Sequence, residues 1–165
     1  MLLGEILHRG VITTTLAAAD KYQAIAELTG LLVDTKDITL DLREHVIEAI
    51  AAREKSAGTG MEQGVALPHG SSDRVENVFG ALGISRKGID FDSLDGLPAK
   101  IVLLLVLPRR DFHVHVRTLA GISHLLNEAS FRKSLENAKS PDAILKLIRT
   151  EEHSSVFDRL RWRKG

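Results

Sequence analysis

A histidine with reactive surroundings lies in the middle of the sequence. His69 directly follows Pro68 and precedes Gly70, after the short apolar segment Val65–Leu67 that is typical of a strand. Ligand sites in open α/β sheets gather at strand ends, and a flanking glycine lets another group approach closely. A neutral imidazole is also a competent nucleophile near pH 7. Residue types alone leave two interpretations open, a reactive histidine and a surface turn that contains one.

A second pair of histidines, His113 and His115, has the spacing H-x-H. On a strand both side chains would point to one face and could ligate a metal. On a helix they would diverge by about 200°. The apolar periodicity is helical from about Val114, and the chain has no cysteine to complete a ligand set. We therefore expect no metal site. The interpretation that remains is that one of the two histidines is exposed and the other half-buried, without a shared ligand.

Arg53 ends a predicted amphipathic helix and enters the glycine-rich stretch Ser56–Ser72. An arginine there serves either as a favourable charge at the helix terminus or as the countercharge of a phosphate. Thr59 and the amides around Gly58 and Gly60 are candidate additional donors. The stretch lacks the terminal Gly-Lys-Ser/Thr of a Walker loop, so nucleotide chemistry is not indicated.

The elements that position these residues alternate along the chain. Capping-box spacings at Asp20–Gln23 and Asp41–Glu44 predict two helix starts, and Ser140-Pro141 predicts a third. Predicted strands cover residues 11–15, 65–67, 79–84 and 101–107, the last apolar without alternation and hence buried on both faces. This interleaving predicts an α/β fold in a single domain, with a charged C-terminal tail after residue 150.

Composition excludes several classes of function. The chain has 165 residues, with 22 Lys plus Arg balanced by 22 Asp plus Glu, which argues against nucleic acid as a ligand. The longest apolar run, Ile101–Leu107, is far shorter than the roughly 20 residues of a membrane helix. No signal peptide is visible at the start. We therefore expect a soluble, cytoplasmic protein without membrane insertion.

The end of the sequence, Glu151–Gly165, contains a basic run at Arg159, Arg161, Arg163 and Lys164. Two interpretations stay open for it, a solvated C-terminus and a tail that attracts phosphate or lipid.

Residues 53–69 carry a longer pattern, Arg-Glu-Lys-Ser-Ala-Gly-Thr-Gly followed by Gly-Val-Ala-Leu-Pro-His. It resembles the active-site signature of the mannitol/fructose-type enzyme IIA domains of the bacterial phosphotransferase system, a family that includes nitrogen-related regulatory IIA proteins. The resemblance continues through Gly88–Gly96, the His115–Leu126 helix and Ala138–Pro141, and covers roughly residues 3 to 150.

This resemblance implies a single domain with a mixed central β-sheet flanked by α-helices. It implies that His69 is the phosphorylated histidine, that His115 is the second active-site histidine and that Arg53 is the active-site arginine. His113, two residues before His115, is the competing match. Thr59 and Gly60 are weaker candidates for phosphate binding.

The resemblance also implies partners. An HPr-like phosphocarrier protein would donate the phosphoryl group to His69, and a IIB component would accept it in sugar uptake. Alternatively, the phosphorylation state of His69 would control binding to regulated target proteins. No metal or other cofactor is required, because the donor is already a high-energy phosphoramidate. We expect the small residues Gly58, Gly60 and Gly70 to form a low-relief docking patch, on which Gly70→Glu would block transfer without changing stability.

Overall fold

The computed structural model describes residues 1–162, with side chains described through residue 155 except that of residue 112. The helices are α1 (Leu3–Ile6), α2 (Lys21–Asp34), α3 (Arg43–Ser56), α4 (Phe112–Leu126), α5 (Ala129–Asn137) and α6 (Pro141–Trp162). The strands are β1 (Ile12–Thr13), β2 (Gly60–Met61), β3 (Val65–Ala66), β4 (His69–Ser72), β5 (Phe79–Ile89) and β6 (Ala99–Pro108). Short 3-10 turns cover Arg9–Val11 and Leu40–Leu42.

The strands form one mixed sheet in the order β1-β5-β6-β3-β2, and β4 also pairs with β6. The long strands β5 and β6 are antiparallel, whereas β3 and β4 both run parallel to β6. Ala66 lies opposite Val102 and His69 lies opposite Leu105, so β3 and β4 keep a single register along β6 across the Leu67-Pro68 step. His69 therefore lies beside Leu105 of β6, the central strand of the sheet.

Strand β6 forms the centre of the hydrophobic core. Residues Ile101–Leu107 are each at most 4% exposed. Because successive side chains of a strand point to opposite faces, both faces of β6 must be covered. Helices α2 and α3 pack against each other and contact the sheet, as do α5 and α6. The predicted mixed sheet flanked by helices is confirmed.

Two of the three predicted helix starts have the expected caps. The Asp20 carboxylate accepts the Gln23 N–H at 2.8 Å, and the Ser140 hydroxyl accepts the Ala143 N–H at 3.1 Å. The capping box at Asp41 is wrong. A 3-10 turn occupies Leu40–Leu42, α3 begins after it without a side-chain cap, and Glu44 pairs with Arg43 instead.

The sequence interpretation missed helix α5 and the second half of strand β5, besides the short elements α1, β2 and β4. Helix α5 has only two buried residues, Phe131 and Leu135, so its apolar periodicity is short. Strand β5 continues past Ile84 to Ile89, where the turn-rich composition predicted a loop. Its pairing with β6 resumes at Ile89–Ala99 after a shift of register, and such an irregularity is invisible to a period-two pattern.

The predicted tail begins inside α6, which continues without a break from Pro141 to Trp162. Glu152 is 8% exposed, and its carboxylate accepts the N–H groups of Leu3 and Gly4, each at 2.7 Å. A buried acid that satisfies two backbone donors makes α6 part of the packed unit beyond residue 150. The side chains of the basic run from Arg159 onward lie outside the described residues.

Across the helices that the structure describes, none combines the length and the apolar character needed to cross a membrane.

Candidate active site

A cleft of about 420 Å³ lies where the carboxyl end of β6, strand β4, the second half of α3 and the start of α4 meet. It brings together three of the residues that the sequence singled out, His69, His115 and Arg53. Its lining also includes small and apolar groups and one more cation. The full set is Ala49, Arg53, His69, Gly70, Ser71, Leu107, Pro108, Arg109, His115, Val116 and Leu119.

His69 is the first residue of β4, not a residue of the glycine-rich loop as the sequence suggested. Its Nδ1 atom lies 2.8 Å from the carbonyl oxygen of Leu67. A carbonyl oxygen only accepts hydrogen bonds, so Nδ1 carries the hydrogen and donates it. In the neutral ring, Nε2 then holds the free lone pair. The arrangement therefore fixes which nitrogen is nucleophilic.

The surroundings of His69 favour the neutral imidazole. Burial is the main cause and lowers the pKa of His69 below the usual histidine value. The hydrogen bond to the Leu67 carbonyl opposes this effect. The positive charge of Arg53 lowers the pKa further, and the negative charge of Glu54 raises it. The net shift keeps the unprotonated, nucleophilic form of His69 at neutral pH.

Two arginines make the cleft electropositive. Arg53 lies in the last turn of α3, where one guanidinium nitrogen donates to the Ala57 carbonyl at 2.6 Å. Arg109 follows the end of β6 and lies 4.0 Å from Asp73, with both side chains exposed. Among the described residues, the cleft lining contains no acidic side chain. Such a lining favours a dianionic group such as a phosphoryl.

His115 is 7% exposed and lies in the first turns of α4. Its Nε2 atom lies 2.5 Å from the Arg110 carbonyl oxygen, so Nε2 carries a hydrogen. The Nδ1 atom is buried and has no hydrogen-bond partner among the described residues. His115 is therefore bonded through one ring nitrogen only among the described residues.

His113 lies on the same helix with an exposed side chain and is not among the cleft-lining residues. Because both residues of the H-x-H pair are helical, their side chains diverge, as expected for that geometry. The described part of the chain contains no group of three or more residues arranged to hold a metal ion.

Thr59 and Gly60, the weaker phosphate-binding candidates, do not line the cleft. The Thr59 hydroxyl donates to the buried Glu54 carboxylate at 2.5 Å. A Cβ atom on Gly60 would lie 2.5 Å from the Phe91 carbonyl oxygen. The hydroxyl of Thr59 is therefore committed to Glu54, and Gly60 is required for close backbone packing.

Of the three glycines of the expected docking patch, Gly58 is exposed, whereas Gly70 is buried. A Cβ atom on Gly70 would lie 3.0 Å from the Ile50 backbone nitrogen and 3.1 Å from the Ala49 carbonyl carbon. Gly70 thus permits β4 and α3 to approach closely, and Gly70→Glu would separate them. This close packing argues against the expectation that Gly70→Glu leaves stability unaltered.

Sequence reasoning missed Arg109 and Glu54. Arg109 follows the buried strand that ends at Pro108, and the carboxyl end of a buried strand was an available signal for it. Glu54 is 1% exposed. The Arg-Glu pair of the family signature was an available signal for it, but its burial could not be read from the sequence because it depends on Lys21 and Thr59.

Comparisons with known proteins agree on one family. Residues 5–151 match the family model described as "Phosphoenolpyruvate-dependent sugar phosphotransferase system, EIIA 2". The chain is 34% identical over 148 residues to a Bacillus subtilis "PTS system fructose-specific EIIABC component", covering 90% of this chain and 23% of that protein. It is 30% identical over 148 residues to a Bradyrhizobium diazoefficiens "Nitrogen regulatory protein", covering 90% of this chain and 95% of the other. The chain thus spans about a quarter of the fructose relative.

A solved structure has the same fold. The nitrogen regulatory protein IIA-Ntr from Neisseria meningitidis superposes with a TM-score of 0.80 at 29% identity. The match covers 88% of this chain and 98% of the other.

Proposed function

The chain belongs to the EIIA 2 family of the phosphoenolpyruvate-dependent sugar phosphotransferase system, and from that premise we propose that it carries a phosphoryl group on Nε2 of His69. One observation carries the proposal. The Leu67 carbonyl holds the hydrogen on Nδ1, which leaves the Nε2 lone pair of a cleft-lining ring as the nucleophile.

The donor in this proposal is the phosphohistidine of an HPr-like carrier protein. The Nε2 lone pair attacks phosphorus, the new P–N bond forms as the P–N bond of the donor breaks, and the electron pair returns to the donor nitrogen. His69 keeps its Nδ1 hydrogen throughout. Passing the group to an acceptor reverses the same step.

The cleft residues act through charge and position. Phosphoryl transfer depends mostly on aligning the reactants and on stabilising the equatorial oxygens. Arg53 and Arg109 balance the charge of these oxygens, and His115, which also lines the cleft, is a candidate hydrogen-bond donor to one of them. The reaction draws on the energy of the donor phosphoramidate, so these residues need no further cofactor.

The relatives named above are of two kinds, fructose-specific and nitrogen regulatory, which correspond to two uses of the same site. As a sugar-uptake component, the protein passes phosphate from His69 to a IIB partner. The 34% identity to a fructose-specific EIIABC component supports this use. As a regulator, it binds a target protein in only one phosphorylation state. The resemblance to IIA-Ntr at a TM-score of 0.80 supports this second use.

A labelling experiment tests the shared chemistry. A phosphorylated HPr-like carrier should give an acid-labile, base-stable label on the wild type and on His113→Ala, and none on His69→Ala. Undiminished labelling of His69→Ala would overturn the assignment of the acceptor. Subsequent loss of label to purified IIB components supports the transport use. Retention of label together with phosphorylation-dependent capture of a target supports the regulatory use.

A further inference from the structure

A buried carboxylate outside the cleft lining is connected to the His69 ring. Glu54 is 1% exposed and directly follows Arg53 on α3. Its carboxylate accepts the Thr59 N–H at 3.1 and 3.2 Å and the Thr59 hydroxyl at 2.5 Å. The Lys21 ammonium lies 3.4 Å away. A buried charge is costly unless it is paired and hydrogen-bonded, and these partners satisfy Glu54.

Thr59 connects Glu54 to Leu67, the residue whose carbonyl selects the His69 tautomer. The Thr59 carbonyl accepts the Leu67 N–H at 3.1 Å, and the Leu67 carbonyl accepts the His69 Nδ1–H at 2.8 Å. Between Leu67 and His69, Pro68 fixes one backbone dihedral. Three successive hydrogen-bonded links thus join the Glu54 carboxylate to the imidazole, through Thr59 and Leu67.

Lys21 anchors the far end of this chain of contacts. Its ammonium also lies 2.8 Å from the Asp92 carboxylate. The Lys21 side chain is 15% exposed, and the hydrogen bond with Asp92 is the main cause that raises its pKa. Lys21 therefore stays charged at neutral pH and offsets the negative charge of Glu54.

We propose that Glu54 and Thr59, backed by Lys21, are positioning residues that hold the Leu67 carbonyl against Nδ1 of His69 and so direct phosphorylation to Nε2. This inference rests on the proposed function for its consequence, although the tautomer can be measured in the unphosphorylated protein. It assigns Thr59 a role different from a phosphate donor. Thr59 acts on the ring through Leu67 and does not contact the phosphoryl group.

A purely structural role for the same contacts predicts a different result. If Glu54 and Thr59 only anchor the β2–β3 hairpin, their loss lowers the thermal midpoint and leaves the tautomer and the phosphorylated nitrogen unchanged. If they position His69, their loss lets the Leu67 carbonyl move, and the hydrogen is then shared between the two ring nitrogens.

The test uses Thr59→Val, Thr59→Ser and Glu54→Gln, with Thr29→Val as a matched control. Thr29 is also a buried threonine, and its hydroxyl donates to the Ile25 carbonyl at 2.7 Å within α2. Nitrogen-15 NMR of the unphosphorylated proteins reports the His69 tautomer. The proteins are then phosphorylated with phosphoramidate, a small donor that needs no docking, and separately with a phosphohistidine carrier. The products are analysed for Nδ1- and Nε2-linked phosphohistidine.

We expect the wild type and Thr29→Val to hold the hydrogen on Nδ1 and to give Nε2-linked product alone. Thr59→Val should show a detectable Nε2–H tautomer and Nδ1-linked product, with carrier-dependent transfer reduced roughly tenfold to a hundredfold. Thr59→Ser, which keeps the hydroxyl, should restore all three readouts. Glu54→Gln should fall between them, because it keeps an acceptor oxygen without the charge.

Two results overturn the inference. One is a wild-type His69 with its hydrogen on Nε2. The other is a Thr59→Val protein, or a Glu54→Gln protein if Thr59→Val does not fold, that loses stability but keeps a single tautomer, a single product and the wild-type rate. Failure of both donors to phosphorylate the wild type would instead reject the proposed function, and the tautomer measurement would still decide this inference.

Discussion

The two walls of the cleft hold their histidines by different means. On the β4 wall, the Nδ1 of His69 is bonded to the Leu67 carbonyl, which belongs to a chain of contacts that ends in a buried ion pair. On the α4 wall, the Nδ1 of His115 is buried without a partner among the described residues. Both rings donate to a backbone carbonyl, His69 from Nδ1 and His115 from Nε2, and they differ in that the remaining nitrogen of His115 is buried and unpaired among the described residues.

The α4 wall also has an unusual backbone conformation at its start and exposed apolar side chains. Asp111, just before α4, has a left-handed φ of 61°, a conformation that Asp tolerates better than most residues. Val114 and Val116, in the first turns of α4, are 50% and 46% exposed. An apolar, incompletely bonded wall suits contact with a partner that arrives and leaves. Under the proposed function, the acceptor lies on β4, and α4 is the wall on which we expect a partner to dock.

The largest effect on phosphate acceptance should come from the β4 wall. His69→Ala removes the nucleophile, so phosphate acceptance from an HPr-like carrier should disappear. Circular dichroism of the same protein should show an intact fold, and His113→Ala should label normally. A His69→Ala protein that still accepts phosphate would place the nucleophile on another residue and break the comparison.

The next largest effect should come from the opposite wall. Loss of one preorganised donor to a developing oxyanion typically costs ~10²–10³ in rate. His115→Ala should slow transfer by about that factor and still end in complete labelling of His69. His113→Ala, two residues earlier on the same helix, should change the rate by less than about threefold. A larger effect at His113 would show that the wrong histidine was assigned.

Arg53→Ala should reduce the transfer rate by about 10², because a charged donor to the phosphoryl oxygens is lost. Arg53→Lys should recover only part of this loss, since lysine keeps the charge but not the planar fork. Rapid-quench labelling with a phosphorylated carrier measures both variants. Equal rates for Arg53→Ala and the wild type would contradict a role of Arg53 in stabilising the phosphoryl group.

A pair of glycine variants tests how tightly the two walls are packed, independently of phosphoryl transfer. Gly70→Ala forces a Cβ atom against the backbone of α3 and should lower the free energy of unfolding by about 1–3 kcal/mol. Gly121 lies within α4 with no atom within 4 Å of an added Cβ. Gly121→Ala should raise the free energy of unfolding by roughly 0.5–1 kcal/mol. Urea denaturation measures both, and the same sign for the two variants would contradict the difference in packing.

The smallest effect concerns pH. Because the pKa of His69 is lowered in the folded protein, the acid limb of the transfer rate should lie below the ordinary histidine value of about 6.5. The effect on stability has the corresponding sign. As pH falls, the unfolded chain takes up the His69 proton at a higher pH than the folded chain does. This contribution to the free energy of unfolding is therefore present above about pH 6.5 and lost as pH falls through the folded pKa. An acid limb for labelling above pH 6.5 would contradict the burial of the ring.

The sequence predicted the fold class because its strongest signals are local. The uninterrupted apolar run of β6 and the side-chain caps at Asp20 and Ser140 each depend on a few adjacent residues. The bulged extension of β5, helix α5 and the docking of α6 through Glu152 depend on contacts with distant segments. No periodicity within a short window encodes those contacts.

The site shows the same division. The resemblance to a known family located His69, His115 and Arg53, and the structure places all three in one cleft. The tautomer of each ring depends on a backbone carbonyl whose orientation the sequence does not state. The contact of the Thr59 hydroxyl with Glu54 could not be read from the sequence, because the burial of Glu54 depends on other parts of the chain.

The contact between Glu152 and the first turn of α1 has a consequence for hydrogen exchange. The first N–H groups of a helix have no partner within the helix and usually exchange with solvent rapidly. Those of Leu3 and Gly4 instead donate to a carboxylate nearly 150 residues away in the sequence, each at 2.7 Å. Deuterium uptake at these two amides therefore measures how often α6 separates from α1, so two signals in α1 report the local opening of α6.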